Sequence, residues 1–209
     1  MPVLVCRDLE KLELQGIHGF ENLEFLKNLS ALLHLDVSES GVRNLRGLRH
    51  LSSLEILKLK GSDLETVGCE SYEGLLTELD FSDCSWLFNV DGLGNIKNLE
   101  TVNLTQCSQL KSLKGLRNLN MMQSLDLTGC KSLVNLDGLE NQPQLRYVKV
   151  DRCVSLNNID ALQATTKLRT FDWINCPLLE TKEVEELLVK FPNLDEWPDV
   201  TNRHGTRKP

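Results

Sequence analysis

The stretch Leu99–Gln123, LETVNLTQCSQLKSLKGLRNLNMMQ, carries two hydrophobic periods in succession. Leu99, Val102 and Leu104 open it with the alternation of a strand whose side chains face a core. Cys107 marks the point where the chain turns off that strand. Leu110, Leu113, Leu116 and Leu119 then recur at strict three-residue spacing. That spacing fits a 3₁₀-like or turn-rich return path with three residues per turn, and not an α-helix of period 3.6. Strand, turn and return path make one supersecondary unit with a thin back.

The unit is copied along the chain. Cys84, Cys107, Cys130, Cys153 and Cys176 recur every 23 residues, each eight residues after the start of a Leu-x-x-Leu-x-Leu pattern. Repeats begin at Leu9, Leu32, Leu54, Leu76, Leu99, Met122, Leu145 and Leu168. A fixed period in this range is the mark of a stacked solenoid, which buries its patterned residues against neighbouring units and displays the rest. Gly47, Gly92, Gly115 and Gly138 share one position just before an inward leucine, where a close backbone approach or a positive φ is expected; Ala161 replaces glycine in the next repeat. The stretch Gly68 to Gly74 departs from the pattern and makes the third repeat irregular.

The string Leu-x-x-Leu-x-Leu-x-x-Cys followed by Leu-x-x-Leu-x-Gly-Leu-x-x-Leu resembles leucine-rich repeat proteins from Val3 to Leu179. The repeat length and the Gly-Leu-x-Asn-Leu run at Gly115–Leu119 are most similar to the short-repeat classes. Those classes include the repeat regulator of protein phosphatase 1, the bacterial internalins and cysteine-bearing proteins of protozoan parasites. The resemblance implies an α/β repeat solenoid, a horseshoe with a parallel β-sheet on its concave face and 3₁₀ or turn segments on its convex face. It implies a protein-binding platform. The solenoid is expected over residues 1–179, a C-terminal cap with a helix over 180–201 and a loose tail over 202–209.

Composition narrows the partner. The 209 residues are 41% hydrophobic and carry a net charge of −7, which argues against nucleic acid and anionic membrane, since both need a basic footprint. Arg203 to Pro209 is the only basic segment. Apolar runs are short, and Arg7, Asp8 and Glu10 stand where a signal peptide would need an apolar region, so the expectation is a soluble chain with no membrane insertion.

In the predicted register the outward residues between inward leucines form the concave surface. Its central column reads Glu13, Asp36, Lys58, Asp80, Asn103, Asp126, Lys149, Asp172, spread over ~35 Å at the usual strand separation. One flanking column holds His34, Ile56, Glu78, Thr101, Ser124 and Tyr147, and the other Ser38, Lys60, Ser82, Thr105, Thr128 and Asp151. Five acids among eight central positions call for a protein partner with a polar, partly basic contact surface, with Ile56 and Tyr147 as apolar anchors. Trp86 and Phe88 flank the inward Leu87 on the outside and offer a second surface, unless they and Tyr72 simply cover the irregular third repeat.

Seven cysteines raise metal and disulfide readings. No Cys-x-x-Cys occurs, and the 23-residue interval belongs to the repeat and not to a metal knuckle, so neither metal nor cofactor is expected. Ser40 and Ser62 hold the same slot in earlier repeats, which marks it as a place for a small side chain that shares in backbone hydrogen bonds at the turn. Buried, reduced thiols and an intracellular, cytoplasmic setting follow. The sequons at Asn28 and Asn103 keep a secreted, host-recognising protein of internalin type as the alternative.

His34, Asp36 and Ser38 alternate on one strand, but a flat strand supplies no pocket, oxyanion donors or orienting groups, so catalysis is not expected. At the C-terminus Val184, Leu187, Leu188 and Phe191 show helical spacing, with Thr181 as N-cap, Pro192 as stop, and Leu194 and Trp197 completing the cover. At the other end Val3 and Cys6 stand in the phase of an inward return segment. A missing N-terminal cap is expected there, with further repeats or another chain over that edge.

Overall fold

The computed structural model describes residues 6–68, 72–192 and 194. Eight three-residue strands follow the repeat clock: β1 Lys11–Glu13, β2 His34–Asp36, β3 Ile56–Lys58, β4 Glu78–Asp80, β5 Thr101–Asn103, β6 Ser124–Asp126, β7 Tyr147–Lys149 and β8 Thr170–Asp172. They pair in chain order, all parallel, in one sheet. The register is constant, so the middle residue of each strand, from Leu12 to Phe171, stands beside its equivalents. Parallel neighbours need a crossover. Here it is the leucine-spaced return path, which contains 3₁₀ turns at Glu24–Leu26, Leu48–His50, Leu93–Asn95, Lys114–Leu116 and Asp160–Ala164. Three residues per turn sets every third side chain on one side, and Leu110, Leu113, Leu116 and Leu119 are all buried.

The cysteine column is a hydrogen-bonded ladder. Each thiol donates to a main-chain carbonyl of the preceding repeat: Cys84 to Leu59, Cys107 to Phe81, Cys130 to Leu104, Cys153 to Leu127 and Cys176 to Val150, at 2.9 to 3.2 Å. Ser62 makes the equivalent bond to Val37 at 3.1 Å. This explains why the slot takes serine in two repeats and cysteine in the next five: it asks for a small donor and not for thiol chemistry. Burial pushes the Cys84 and Cys153 thiols up to about 12 and Cys176 up to about 11. The thiolate is the nucleophile, so these groups are inert while the fold is intact. Of the described cysteines, only exposed Cys6 is expected to react with a thiol reagent in the native protein, the five column thiols following on denaturation without reductant. Rapid native labelling of Cys130 would show the ladder to be wrong.

One feature of the turn was not read from the sequence. The residue before each slot adopts a left-handed backbone: Glu39, Asp83, Gln106, Arg152 and Asn175 at φ 55 to 62°, with Gly16, Gly61 and Gly129 in the same position. Three glycines in eight did not mark it as a column, because the other five repeats hold ordinary residues there. A second ladder of side-chain caps lies on the return path, where Asn22, Asn44, Asn89, Ser112, Asn135 and Asn158 each accept the N–H two residues on.

The glycine column divides. Gly47 and Gly138 have positive φ, 95° and 114°, and a Cβ on either would strike main chain of the preceding repeat. Gly115 has an ordinary φ, but a Cβ there would lie 1.8 Å from the Val90 carbonyl oxygen. Gly92, at φ −84°, does not share the positive φ. In the irregular third repeat Tyr72 is inside, not on an outer cluster: it is 3% exposed and its hydroxyl donates to the carbonyls of Leu51 and Leu54 at 3.4 and 3.3 Å.

Helix α1, Thr181–Lys190, packs against the turn Asp160–Ala164 and buries Val184 and Leu187. Its N-cap is Glu180, not Thr181, which is the first helical residue. Leu188 is 41% exposed, so the apolar stripe is narrower than the spacing predicted, while Phe191 and Leu194 pack partly on the core. Trp197 and the tail lie outside the described residues, as does Val3. Cys6 is exposed and does not point inward. Leu9, Leu12 and Leu14 at β1 are half-buried, whereas their counterparts in later repeats are fully covered.

Candidate interaction surface

Seven of the eight strands present their first and last residues to one open face. In the central column Asp36, Asp80, Asn103, Asp126 and Lys149 are half-buried, and Glu13 and Lys58 are exposed. Glu78 and Ile56 are half-buried in the flanking column, and Tyr147 is 42% exposed beside Lys149. These residues are brought together in the predicted rows by strand register alone.

Asp172 is the exception. It is 5% exposed and Thr170 on the same strand 6%, so the last strand is no part of the displayed face. Ser38 and Ser82 are also buried, at 9% and 6%, because they sit where the chain already turns in toward the slot.

The acids of this column hold their own turns. Asp36 Oδ1 accepts the Ser38 N–H, Asp80 Oδ1 that of Ser82, Asn103 Oδ1 that of Thr105 and Asp126 Oδ1 that of Thr128, at 2.9 to 3.0 Å. This Asx geometry ends β2, β4, β5 and β6 and explains why those four positions hold Asp or Asn. The remaining oxygens differ. Asp36 Oδ2 accepts a 2.6 Å bond from Gln15 Nε2. Asp80 and Asp126 have no second hydrogen-bond or ion-pair partner among the described residues. Burial works to raise the Asp36 pKa, but the bonds from Ser38 and Gln15 and the Lys58 charge outweigh it and hold the carboxyl below its ordinary value. Asp36 thus faces Gln15 and Ser38 and makes no relay with His34.

Trp86 and Phe88 are 59% and 47% exposed on either side of fully buried Leu87, as the register predicts. The structure adds Val134, 46% exposed, at the position of Phe88 two repeats on. Lys111 lies between them, its N–H bonded to the Phe88 carbonyl at 2.9 Å, so the apolar row is interrupted by a charge. Val134 was missed because a lone valine outside the Leu pattern reads as an ordinary surface residue. Among the described residues no group of three or more His, Cys, Asp or Glu is arranged to hold a metal ion, and no helix is long and apolar enough to cross a membrane.

No protein-family model and no curated protein sequence matches the chain. Solved structures do. Internalin C2 from Listeria monocytogenes is similar with a TM-score of 0.53 and 19% identity, over 78% of this chain and 80% of that one. Human 5T4, the trophoblast glycoprotein, is similar with a TM-score of 0.59 and 19% identity, over 83% of this chain and 73% of that one. The leucine-rich repeat domain of the type III effector XopL is similar with a TM-score of 0.55 and 19% identity, over 82% and 70%. At these identities the likeness is one of fold.

Proposed function

We propose that this chain, a leucine-rich repeat solenoid, is a non-enzymatic interaction module that holds a partner protein against strands β2–β7 of its concave sheet. The observation that carries the reading is the pair Asp80 and Asp126. Each spends one carboxylate oxygen on its turn and leaves the other without a partner among the described residues. They stand two strands apart, about 10 Å at the usual strand separation, with Asn103 between them. Exposed Lys58 lies one strand before the pair and Lys149 one strand after it. Two acceptors at fixed spacing on a rigid sheet fit Arg or Lys side chains of a partner, and charge-assisted bonds to carboxylates are the strong kind. Tyr147 beside Lys149 supplies an amphipathic anchor of the type that concentrates binding energy. The open, flat setting and the engagement of Asp36 with Ser38 and Gln15 favour binding over catalysis. The proposed setting is intracellular, supported by five shielded thiols whose slot also accepts serine.

The test is an affinity capture that compares the chain with Asp80→Asn/Asp126→Asn. Asparagine keeps the Oδ1 acceptor, as Asn103 already does, and removes the charge. The double variant is expected to unfold at the same temperature within a few degrees and to lose its main captured protein by about fivefold or more. Equal capture would overturn the concave acids as the contact. The same experiment with Trp86→Ala/Phe88→Ala then decides whether the return-path surface does the binding.

A further inference from the structure

The geometry points to a binding site for a phosphate monoester, carried on a side chain of the partner protein, between Arg146 and Arg169. Each of the two arginines stands one residue before its strand, β7 or β8, and the Arg169 N–H donates to the Arg146 carbonyl at 2.8 Å. Their backbones are thus about one strand separation apart, ~4.8 Å. Side chains along this rim of the sheet meet sideways: Gln123, which precedes Arg146 in the row, donates from Nε2 to Glu100 Oε2 at 2.9 Å. That bond holds the nearest acid of the row, two strands away from Arg146. Neither arginine side chain has a hydrogen bond or ion pair among the described residues. The stretches Asn141–Val150 and Ala161–Phe171 contain Arg146, Lys149, Lys167 and Arg169 and no acid, and the coil lays one stretch beside the other in a chain whose net charge is −7.

Arg146 is half-buried, and its Nε is withdrawn from solvent without a hydrogen-bond partner, an arrangement that costs free energy. Its terminal nitrogens are the atoms a ligand reaches. Arg169 and Tyr147 beside it are exposed. Like charges opposite one another on neighbouring strands repel, so an anion between the two guanidinium groups relieves the repulsion as well as the missing bonds. A carboxylate has two oxygens and one charge, enough for a single guanidinium. A phosphate monoester has three terminal oxygens and a charge near −2, and it accepts paired bonds from both arginines. Lys167, held to Gln144 Oε1 at 2.8 Å, adds a cation farther along the rim. The site borders the concave face: Arg146 lies three residues before Lys149, the neighbour of Asp126, or about 10 Å along the strand. A partner seated on Asp80 and Asp126 passes within reach of it. The protein-borne source of the phosphate rests on that reading of the concave face; the anion site itself does not.

An NMR titration of the full chain with N-acetyl-O-phosphoserine amide tests this, since the amide spectrum also shows that each variant is folded. Saturable shifts are expected at Arg146, Tyr147 and Arg169, and none with the unphosphorylated amide. Arg146→Gln and Arg169→Gln should each weaken binding by about tenfold or more, the loss of charge-assisted bonds to one guanidinium. Lys111→Gln, an exposed cation on the return path, should change nothing, which separates a built site from general charge. Asp80→Asn/Asp126→Asn should leave the titration unaltered, so failure of the concave acids as a contact and failure of this site are read separately. Two further arms address the source of the phosphate. Inorganic phosphate that binds more tightly than the phosphoserine amide would assign the site to a free ion, and pelleting with phosphatidylcholine vesicles only when they contain a phosphatidylinositol phosphate would assign it to a membrane; either result overturns the protein-borne source. Absence of shifts at the two arginines, or equal affinity in both glutamine variants, overturns the site.

Discussion

Leu104→Ala is expected to lower the free energy of unfolding by ~2–5 kcal/mol in a denaturant titration, the range for buried leucine truncations. The upper half of that range is the better expectation, on structural grounds. Leu104 is fully buried between Phe81 and Leu127, which are also at 0%. Its N–H donates to Asp126 and its carbonyl accepts from Cys107 and from the Cys130 thiol. Those bonds hold the neighbouring strands at their spacing, so the stack cannot collapse into the space left by the isobutyl group, and the cavity cost stays. Leu127→Ala, one repeat on, should behave alike. Thr101→Ala, exposed on the same strand, should stay within about 0.5 kcal/mol. Because stability in a repeat array is a sum over neighbouring units, the lesion is expected as a lowered midpoint or as a transition split at the fifth repeat. An unchanged midpoint for Leu104→Ala would show that the inward register is misassigned.

Gly138→Ala is expected to cost roughly 2–5 kcal/mol, combining left-handed strain with overpacking against main chain. The residue sits at φ +114°, and an added Cβ would lie 2.3 Å from the Leu113 carbonyl oxygen and 2.6 Å from its carbon. Backbone of the preceding repeat cannot rotate away as a side chain would. Gly61→Ala separates the two causes. Gly61 is also left-handed, at φ +65°, but its Cβ would meet nothing closer than Glu39 Cγ at 3.5 Å, so only the strain of ~1–2 kcal/mol applies. Thermal unfolding of the pair decides the matter: if Gly138→Ala costs no more than Gly61→Ala, the close approach between return paths is not a constraint on this fold.

The repeat was legible because each unit makes the same two contacts, with the unit before and the unit after. A side chain buried in one repeat must be buried in all, and that necessity appears as a period: the inward leucines, the slot shared by Cys84 to Cys176 with Ser40 and Ser62, and the rows that place Asp36 beside Lys58 and Asp80. The left-handed turn residues were hidden for the opposite reason. A backbone conformation leaves a trace only where glycine is required, and Glu39, Gln106 and Arg152 tolerate it at a modest cost in strain. The ends were hidden too, since no neighbouring copy repeats their pattern: Asp172 lies in the same row as Asp126 and is nevertheless buried.

Sequence alone thus determined the solenoid, its register and which residues share a face, because stacking identical units turns local spacing into geometry. Only the tertiary structure decided that Asp80 and Asp126 have no second partner among the described residues while Asp36 has one, and that Asp172 is buried. Those outcomes depend on what lies across a hydrogen bond from each group, and a partner some 20 residues away in the next coil, as Gln15 is from Asp36, sends no signal through local spacing.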